Sequence, residues 1–398
     1  MRLIPDIDEH AGELAALRRR IHAQPELGFE ERLTSDLVAE RLTAWGIEVD
    51  RSFAKTAVVG LVHGRDGGAS KRLVGLRADM DALPIQEVNT FAHRSRHANT
   101  MHACGHDGHT AMLLGAARHL AATRDFDGTV VLIFQPAEEG RGGALAMVNE
   151  GLFERYPVEA VFGMHNWPGY PQGTLAVSPG PVMASANTFK IAVHGRGSHA
   201  AMPHLGVDPM PVACQIVGAL QTVITRNKRP LDTAVLSVTM IHGGEATNVV
   251  PDTCTIEGTV RAFNADVLDL IERRMRSIAE HTCAAFEAGC TFEFQRRAPP
   301  VVNHTPEALF AADVMRTIVG ADNVRVQEPS MPSEDFAYML QARPGAYCFI
   351  GNGEGDHRAP GHGAGPCTLH NPSYDFNDAL LPLGATYWVR LARAWLRR

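Results

Sequence analysis

Short apolar runs alternate with helical patterns at both ends of this chain, and the alternation breaks once, between about Met183 and Arg297. Ahead of the break, apolar residues recur at helical spacing at Leu14, Leu17 and Ile21, and again at Leu33, Leu37, Val38 and Leu42. Apolar runs at 57–62, 73–76 and 130–134 and near Val161 predict strands, with helices over about 110–122 and 143–150 between them. Strand alternating with helix predicts an α/β fold with a mostly parallel central sheet flanked by helices. Inside the break, strands at 189–193, 234–241 and 253–261 accompany helices over about 209–225 and 267–285, a smaller α+β unit. Alternation then resumes through a strand at 346–350 to a final helix ending at Arg398. The expected organisation is a discontinuous domain of residues 1–182 and 297–398, with an inserted domain of residues 183–296.

A length of 398 residues suits two domains, and 45% hydrophobic with 20% charged residues excludes a disordered chain. Net charge −7 without a long basic run gives no footprint for nucleic acid, so no such partner is expected. Arg18-Arg19-Arg20 and Arg397-Arg398 read as solvated helix faces or ends. No run is long and apolar enough for a signal peptide or a membrane span, so the expectation is a cytoplasmic protein without a membrane partner. The seven cysteines lack disulfide spacing, and all except Cys104 read as small buried hydrophobes.

The chemistry concentrates in five polar clusters: Asp79-Met80-Asp81, Cys104 to His109, Glu138-Glu139, Met164 to Pro168, and Leu369 to Pro372. The first four each follow an apolar run or precede a helix, which places them together at the carboxyl edge of a parallel sheet. A thiolate and an imidazole two residues apart in a glycine-relaxed turn, Cys104 and His106, can bind divalent metal of the zinc type. Two adjacent carboxylates after a buried strand divide the work: Glu139 binds metal while Glu138 carries protons to the leaving amine. His165 and His370 complete the expected ligand set of Cys104, His106, Glu139, His165 and His370. His102 and His109 are expected behind it, as partners of the ligands. A redox role for Cys104 would need a resolving cysteine nearby, and the sequence offers none.

These residues, in this order, resemble the dinuclear-metal aminoacylase and carboxypeptidase superfamily, within it the amidohydrolase subgroup of hippurate hydrolase and indoleacetyl-amino-acid hydrolases. The resemblance also rests on residues 22–29, 77–84, 135–140 and 195–200, Asn248-Val249-Val250-Pro251, Ser333-Glu334-Asp335-Phe336 and Leu369-His370-Asn371-Pro372. It implies a catalytic domain interrupted by a lid that supports dimerisation, two divalent metal ions per subunit, and Glu138 as general base and then acid. Asp81 stands where the superfamily orients a metal-bound imidazole. Asp79 replaces the superfamily's first metal-binding histidine, and Cys104 a bridging carboxylate; both belong to the subgroup. Thiolate softness favours zinc, while the subgroup is also associated with manganese, cobalt or nickel.

The implied substrate is a small N-acyl amino acid, with hippurate-like N-acylglycines leading. Arg261 offers a fork of donors and Asn248 an amide to its free carboxylate, and His199 a donor to the developing oxyanion. In relatives this histidine reaches the site of the opposite subunit, so a homodimer is expected. The alternatives are an N-acetyl-amino-acid or N-acetyl-diaminopimelate deacetylase, a dipeptidase or carboxypeptidase, or a binding module that retains metal without turnover.

Overall fold

A computed structural model describes residues 1–65, 67–358 and 360–397. Asp66, in the glycine-rich stretch between the expected strands 57–62 and 73–76, and Arg398, the expected end of the last helix, lie outside the described residues. The chain divides into two compact units, one of Met1–Val182, Val302–Glu328 and Asp335–Arg398, the other of Met183–Val301 and Pro329–Glu334.

The first unit is built on an eight-stranded sheet whose centre is the order Thr129–Gln135, Leu73–Asp79, Ala160–Pro168, Gly345–Gly353. These four strands are mutually parallel. Thr129–Gln135 is buried at every position, as a strand covered on both faces must be, and its run of Val, Leu, Ile and Phe supplies the apolar surface. The helices His106–Thr123 and Leu381–Leu396 pack against each other and on the sheet, burying Leu113, Leu120, Trp388 and Leu391 in one core. The expected α/β class with a mostly parallel sheet is what forms. Among the described residues no helix is long and apolar enough to cross a membrane.

The second unit is a four-stranded antiparallel sheet in the order Ala234–Gly243, Thr253–Ala262, Ala186–His194, Gly289–Ala298, with helices Pro209–Thr222 and Ala265–Ala285. Thr253–Ala262 alternates buried and partly exposed positions along its length, the mark of a sheet covered on one face. Asp208 caps the first helix and Asn264 the second, each side chain accepting from the amide two residues on. The strand Gly289–Ala298 is absent from the sequence expectation, although Phe292 and Phe294 alternate there with Thr291, Glu293 and Gln295.

Two sequence expectations are corrected. Arg18 is wholly buried, not solvated: Nε and Nη1 reach Asp378 at 2.7 Å, Asp375 at 2.9 Å and Asp107 at 3.3 Å. The three-arginine run hides that one helix face points inward at carboxylates supplied from the far end of the chain. Cys214 is exposed and Cys290 half-buried, whereas Cys254, Cys283, Cys348 and Cys367 are buried.

Candidate metal centre

The carboxyl ends of three parallel strands bring the acidic and imidazole groups together. Leu73–Asp79 ends on Asp79 with Asp81 just beyond, Thr129–Gln135 leads into the turn bearing Glu138 and Glu139, and Ala160–Pro168 carries His165. His165 belongs to the strand itself rather than to a following loop. His106 opens the helix His106–Thr123, four residues before the expected start. The reason is Gly105, which precedes that helix at φ +95°, a left-handed conformation that glycine adopts without strain. A Cβ at Gly105 would lie 2.2 Å from Asn166 Oδ1, so this turn has no room for a side chain. The polar run 106–109 has no amphipathic pattern because all four positions are buried.

The five residues expected as ligands meet in one place. Ligand atoms of Cys104, His106 and His165 lie within 4.8 Å of one another, as do those of Cys104, Glu139 and His370. Glu138 joins His106 and Glu139 on the same criterion. The two donor sets thus overlap at the Cys104 thiol. Cys104 Sγ is 3.3 Å from His165 Nε2, and His370 Nε2 is 3.2 Å from Glu139 Oε1. His370 takes a left-handed φ of 61° and donates its backbone amide to the Ala103 carbonyl at 2.7 Å, which anchors this distant loop beside Cys104.

A layer of hydrogen bonds fixes these side chains. Asp81 Oδ1 sits 3.2 Å from His106 Nδ1 while Oδ2 accepts from the Glu139 amide at 2.9 Å, so one carboxylate braces two donors. His165 Nδ1 pairs with the Asn166 carbonyl at 2.6 Å, leaving Nε2 toward Cys104. His109 hydrogen-bonds Asp79 at 2.6 Å and Asn166 at 2.7 Å and no member of the donor set. His102 is buried with both ring nitrogens unpartnered among the described residues, and burial drives its pKa down to about 4.

The electrostatics fit cations. Burial, then the charges of Glu139, Glu138 and Asp79, pushes the Cys104 thiol well above its usual range. Burial opposes charge on His106 too, yet Asp79 and Asp81 raise it to about 10. His165 is held well below its ordinary value, chiefly by burial, and so is neutral and ready to coordinate. His106 Nε2 is buried with no hydrogen-bond partner among the described residues. A thiol surrounded by carboxylates and an unpartnered imidazole nitrogen are both costly alone. Divalent ions there would offset both.

Residues 75–394 match the model of Peptidase family M20/M25/M40. The chain belongs to this M20 family. It is 40% identical to hippurate hydrolase of Campylobacter jejuni over 398 residues, all of both chains. It is 38% identical to IAA-amino acid hydrolase ILR1-like 4 of Arabidopsis thaliana, covering 96% of this chain and 86% of that one. Among solved structures, the YXEP protein of Bacillus subtilis, described as a dinuclear metal binding peptidase from the M20 family, superposes with TM-score 0.84 at 33% identity. That match covers 98% of this chain and 99% of the other. This M20 protein is therefore a metal-dependent amidohydrolase.

The remaining expected residues lie in the second unit. His199 is in the short strand Ser198–His199, paired with Val249, and the Asn248 carbonyl accepts from the Ala200 amide at 3.0 Å, so these two are neighbours. Arg261 stands near the other end of Thr253–Ala262, with Nη1 buried and unpartnered among the described residues. Sequence reasoning did not single out Glu31 or Tyr374 and gave no role to Asn166 within its cluster, and all three are buried around the site. Gly105 was the available signal for Asn166 and Tyr374, since both crowd the space over it.

Proposed function

We propose that this M20 enzyme hydrolyses the amide bond of small N-acyl amino acids, with hippurate-like N-acylglycines the leading substrates. The observation that carries the reading is the convergence of Cys104, His106, Glu139, His165 and His370 into two donor sets with a shared thiol, with Glu138 beside them. On this reading Cys104, His106, Glu139, His165 and His370 would hold two divalent ions per subunit, zinc or manganese with cobalt or nickel as substitutes, which would supply Lewis acidity and an activated water. Glu138 takes a proton from the attacking water and delivers it to the amine nitrogen as the C–N bond breaks. Asp81 keeps the His106 ring turned toward the donor set.

Arg261 binds the substrate's free carboxylate. Its support is a buried guanidinium nitrogen without a partner among the described residues, and burial lowers its pKa. Asn248 assists at the carboxylate, and His199 donates to the carbonyl oxygen as it becomes an oxyanion. Eight residues of extended strand separate Thr253 from Arg261, about 26 Å. His199 and Asn248 lie beyond the Thr253 end, so one copy of this unit cannot apply all three to a single small substrate. That separation supports a homodimer in which the partner provides His199 and Asn248, through the inserted domain of residues 183–296. The edge strand Ala234–Gly243, with Met240 and Ile241 exposed, is a surface suited to such pairing. The enzyme acts in the cytoplasm on this reading.

The test is a panel of N-benzoyl, N-acetyl and indoleacetyl amino acids and simple dipeptides, assayed with metal-reconstituted enzyme. N-Benzoylglycine is expected to give the highest kcat/KM. Preference for dipeptides, or no turnover at full metal loading, would overturn the proposal.

A further inference from the structure

The turn that carries Glu138 is held in an unusual conformation. Ala137 lies at φ +57°, a left-handed position occupied without glycine's freedom, and is wholly buried. Such a conformation persists only where the surroundings over-determine it. Here three carboxylates do so, two accepting backbone amides of the turn and the third an amide in the first turn of the helix Gly143–Asn149 that follows it. Glu31 Oε1 accepts from Ala137 at 2.8 Å, Asp81 Oδ2 from Glu139 at 2.9 Å, and Asp335 Oδ2 from Ala144 at 2.9 Å. Asp335 lies in the segment 333–336 and Glu31 two residues past the segment 22–29, and the catalytic reading has no use for either.

Asp335 does more than brace the backbone. Its Oδ1 accepts from Gln135 Nε2 at 2.8 Å, so its side chain ties the residue before the turn to the helix after it. Arg77 Nη2 approaches the same oxygen at 3.5 Å. The backbone amide of Asp335 donates to Glu138 Oε1 at 3.4 Å. One oxygen of Glu138 is thereby directed at a fixed donor. Asp335 is 5% exposed, so water does not compete for these bonds.

We propose that Asp335 is a positioning residue for Glu138, fixing the angle at which that carboxylate meets the water and the leaving nitrogen. The inference rests on Glu138 as the proton carrier. Asparagine cannot replace Asp335. An amide in place of Oδ2 would face the Ala144 N–H, donor to donor. In place of Oδ1 it would face Arg77 and the Gln135 amide, whose own oxygen is held by Arg77 Nε at 2.8 Å. Misplacement of a catalytic group by about 1 Å costs on the order of a hundredfold in rate.

The experiment compares wild type, Asp335→Asn, Asp335→Ser, Glu138→Ala and the double variant Glu138→Ala/Asp335→Asn, all metal-loaded, on the best substrate of the panel above. Asp335→Asn, or Asp335→Ser should the first not fold, is expected to keep wild-type metal content and a KM within threefold while kcat falls at least twentyfold. In the Glu138→Ala background, Asp335→Asn is expected to lower the residual rate no further. A folded, metal-loaded variant with kcat within threefold of wild type overturns the proposal. So does an equal fractional loss with and without Glu138, or failure of both variants to fold or hold metal, which would make Asp335 a framework residue. Full turnover by Glu138→Ala alone would instead sink the proton-carrier reading, so the two failures are distinguishable.

Discussion

Replacing Arg18 by methionine tests the buried charge network behind the metal centre. Arg18 is wholly buried, and Asp107 and Asp375, which it pairs, are 0% and 5% exposed. Methionine fills similar volume, so the cavity contribution is small and the loss is electrostatic. His22 Nδ1 remains 2.9 Å from Asp107, but among the described residues the Asp375 carboxylate keeps only imidazole partners, His362 at 3.0 Å and His93 at 3.7 Å. Breaking a buried pair from one side costs about 3–5 kcal/mol, because the surviving carboxylates stay desolvated. Urea unfolding of wild type and Arg18→Met at neutral pH measures this directly. With a slope of roughly 3 kcal/mol/M, the midpoint should fall by about 1 M or more. Asp107 and Asp375 are both held below the usual carboxylate range despite burial, by His22 and Arg18 for the first and chiefly by Arg18 for the second. Groups depressed in the fold stabilise it above their unfolded pKa, so the gap between wild type and variant should narrow as pH falls through the folded values. A loss under about 1 kcal/mol, with unchanged slope and no narrowing in acid, would refute the reasoning.

His22, although burial opposes its charge, is raised to about 9 by Asp107 and Glu87. Its stabilisation is fully present below about pH 6.5 and disappears as pH rises through about 9, a loss on the order of 3 kcal/mol; denaturation of wild type and His22→Gln across that window should show the slope only in wild type. Gly105→Ala places a Cβ 2.2 Å from Asn166 Oδ1 at a left-handed φ, so calorimetry should register a loss of at least ~2 kcal/mol together with weakened metal retention. Because the Cys104 thiol is pushed up by burial and neighbouring carboxylates, metal binding must displace its proton, and affinity should rise with pH. Titration with a competing chelator should find Cys104→Ser binding metal at least about tenfold more weakly, with a slope against pH smaller by one proton.

How much of this was legible in the sequence follows from where each signal resides. The parallel sheet was readable because covered strands such as Val130 to Phe134 are apolar at every position, and most of the donor residues because four of the five clusters follow such a run or precede a helix. The start of the His106–Thr123 helix was not, since its first turn is buried among polar partners and lacks a 3.6-residue apolar period. Arg18 was misread because burial of a guanidinium depends on Asp375 and Asp378, some 360 residues away, which no local pattern reveals. The roles of Asp335 and Glu31 were hidden for the same reason: each accepts a backbone amide remote in sequence, Ala144 for the first and Ala137 for the second, and amides leave no mark in the residue code.

The central claim, that Glu138 moves the proton at a metal centre assembled from Cys104, His106, Glu139, His165 and His370, is tested most directly by Glu138→Gln. Metal content by elemental analysis and kcat on N-benzoylglycine are measured on the same preparation. The account predicts wild-type metal content with kcat reduced by a factor on the order of 10² to 10⁴, the usual contribution of a general acid–base group. Wild-type turnover at that metal content would contradict it.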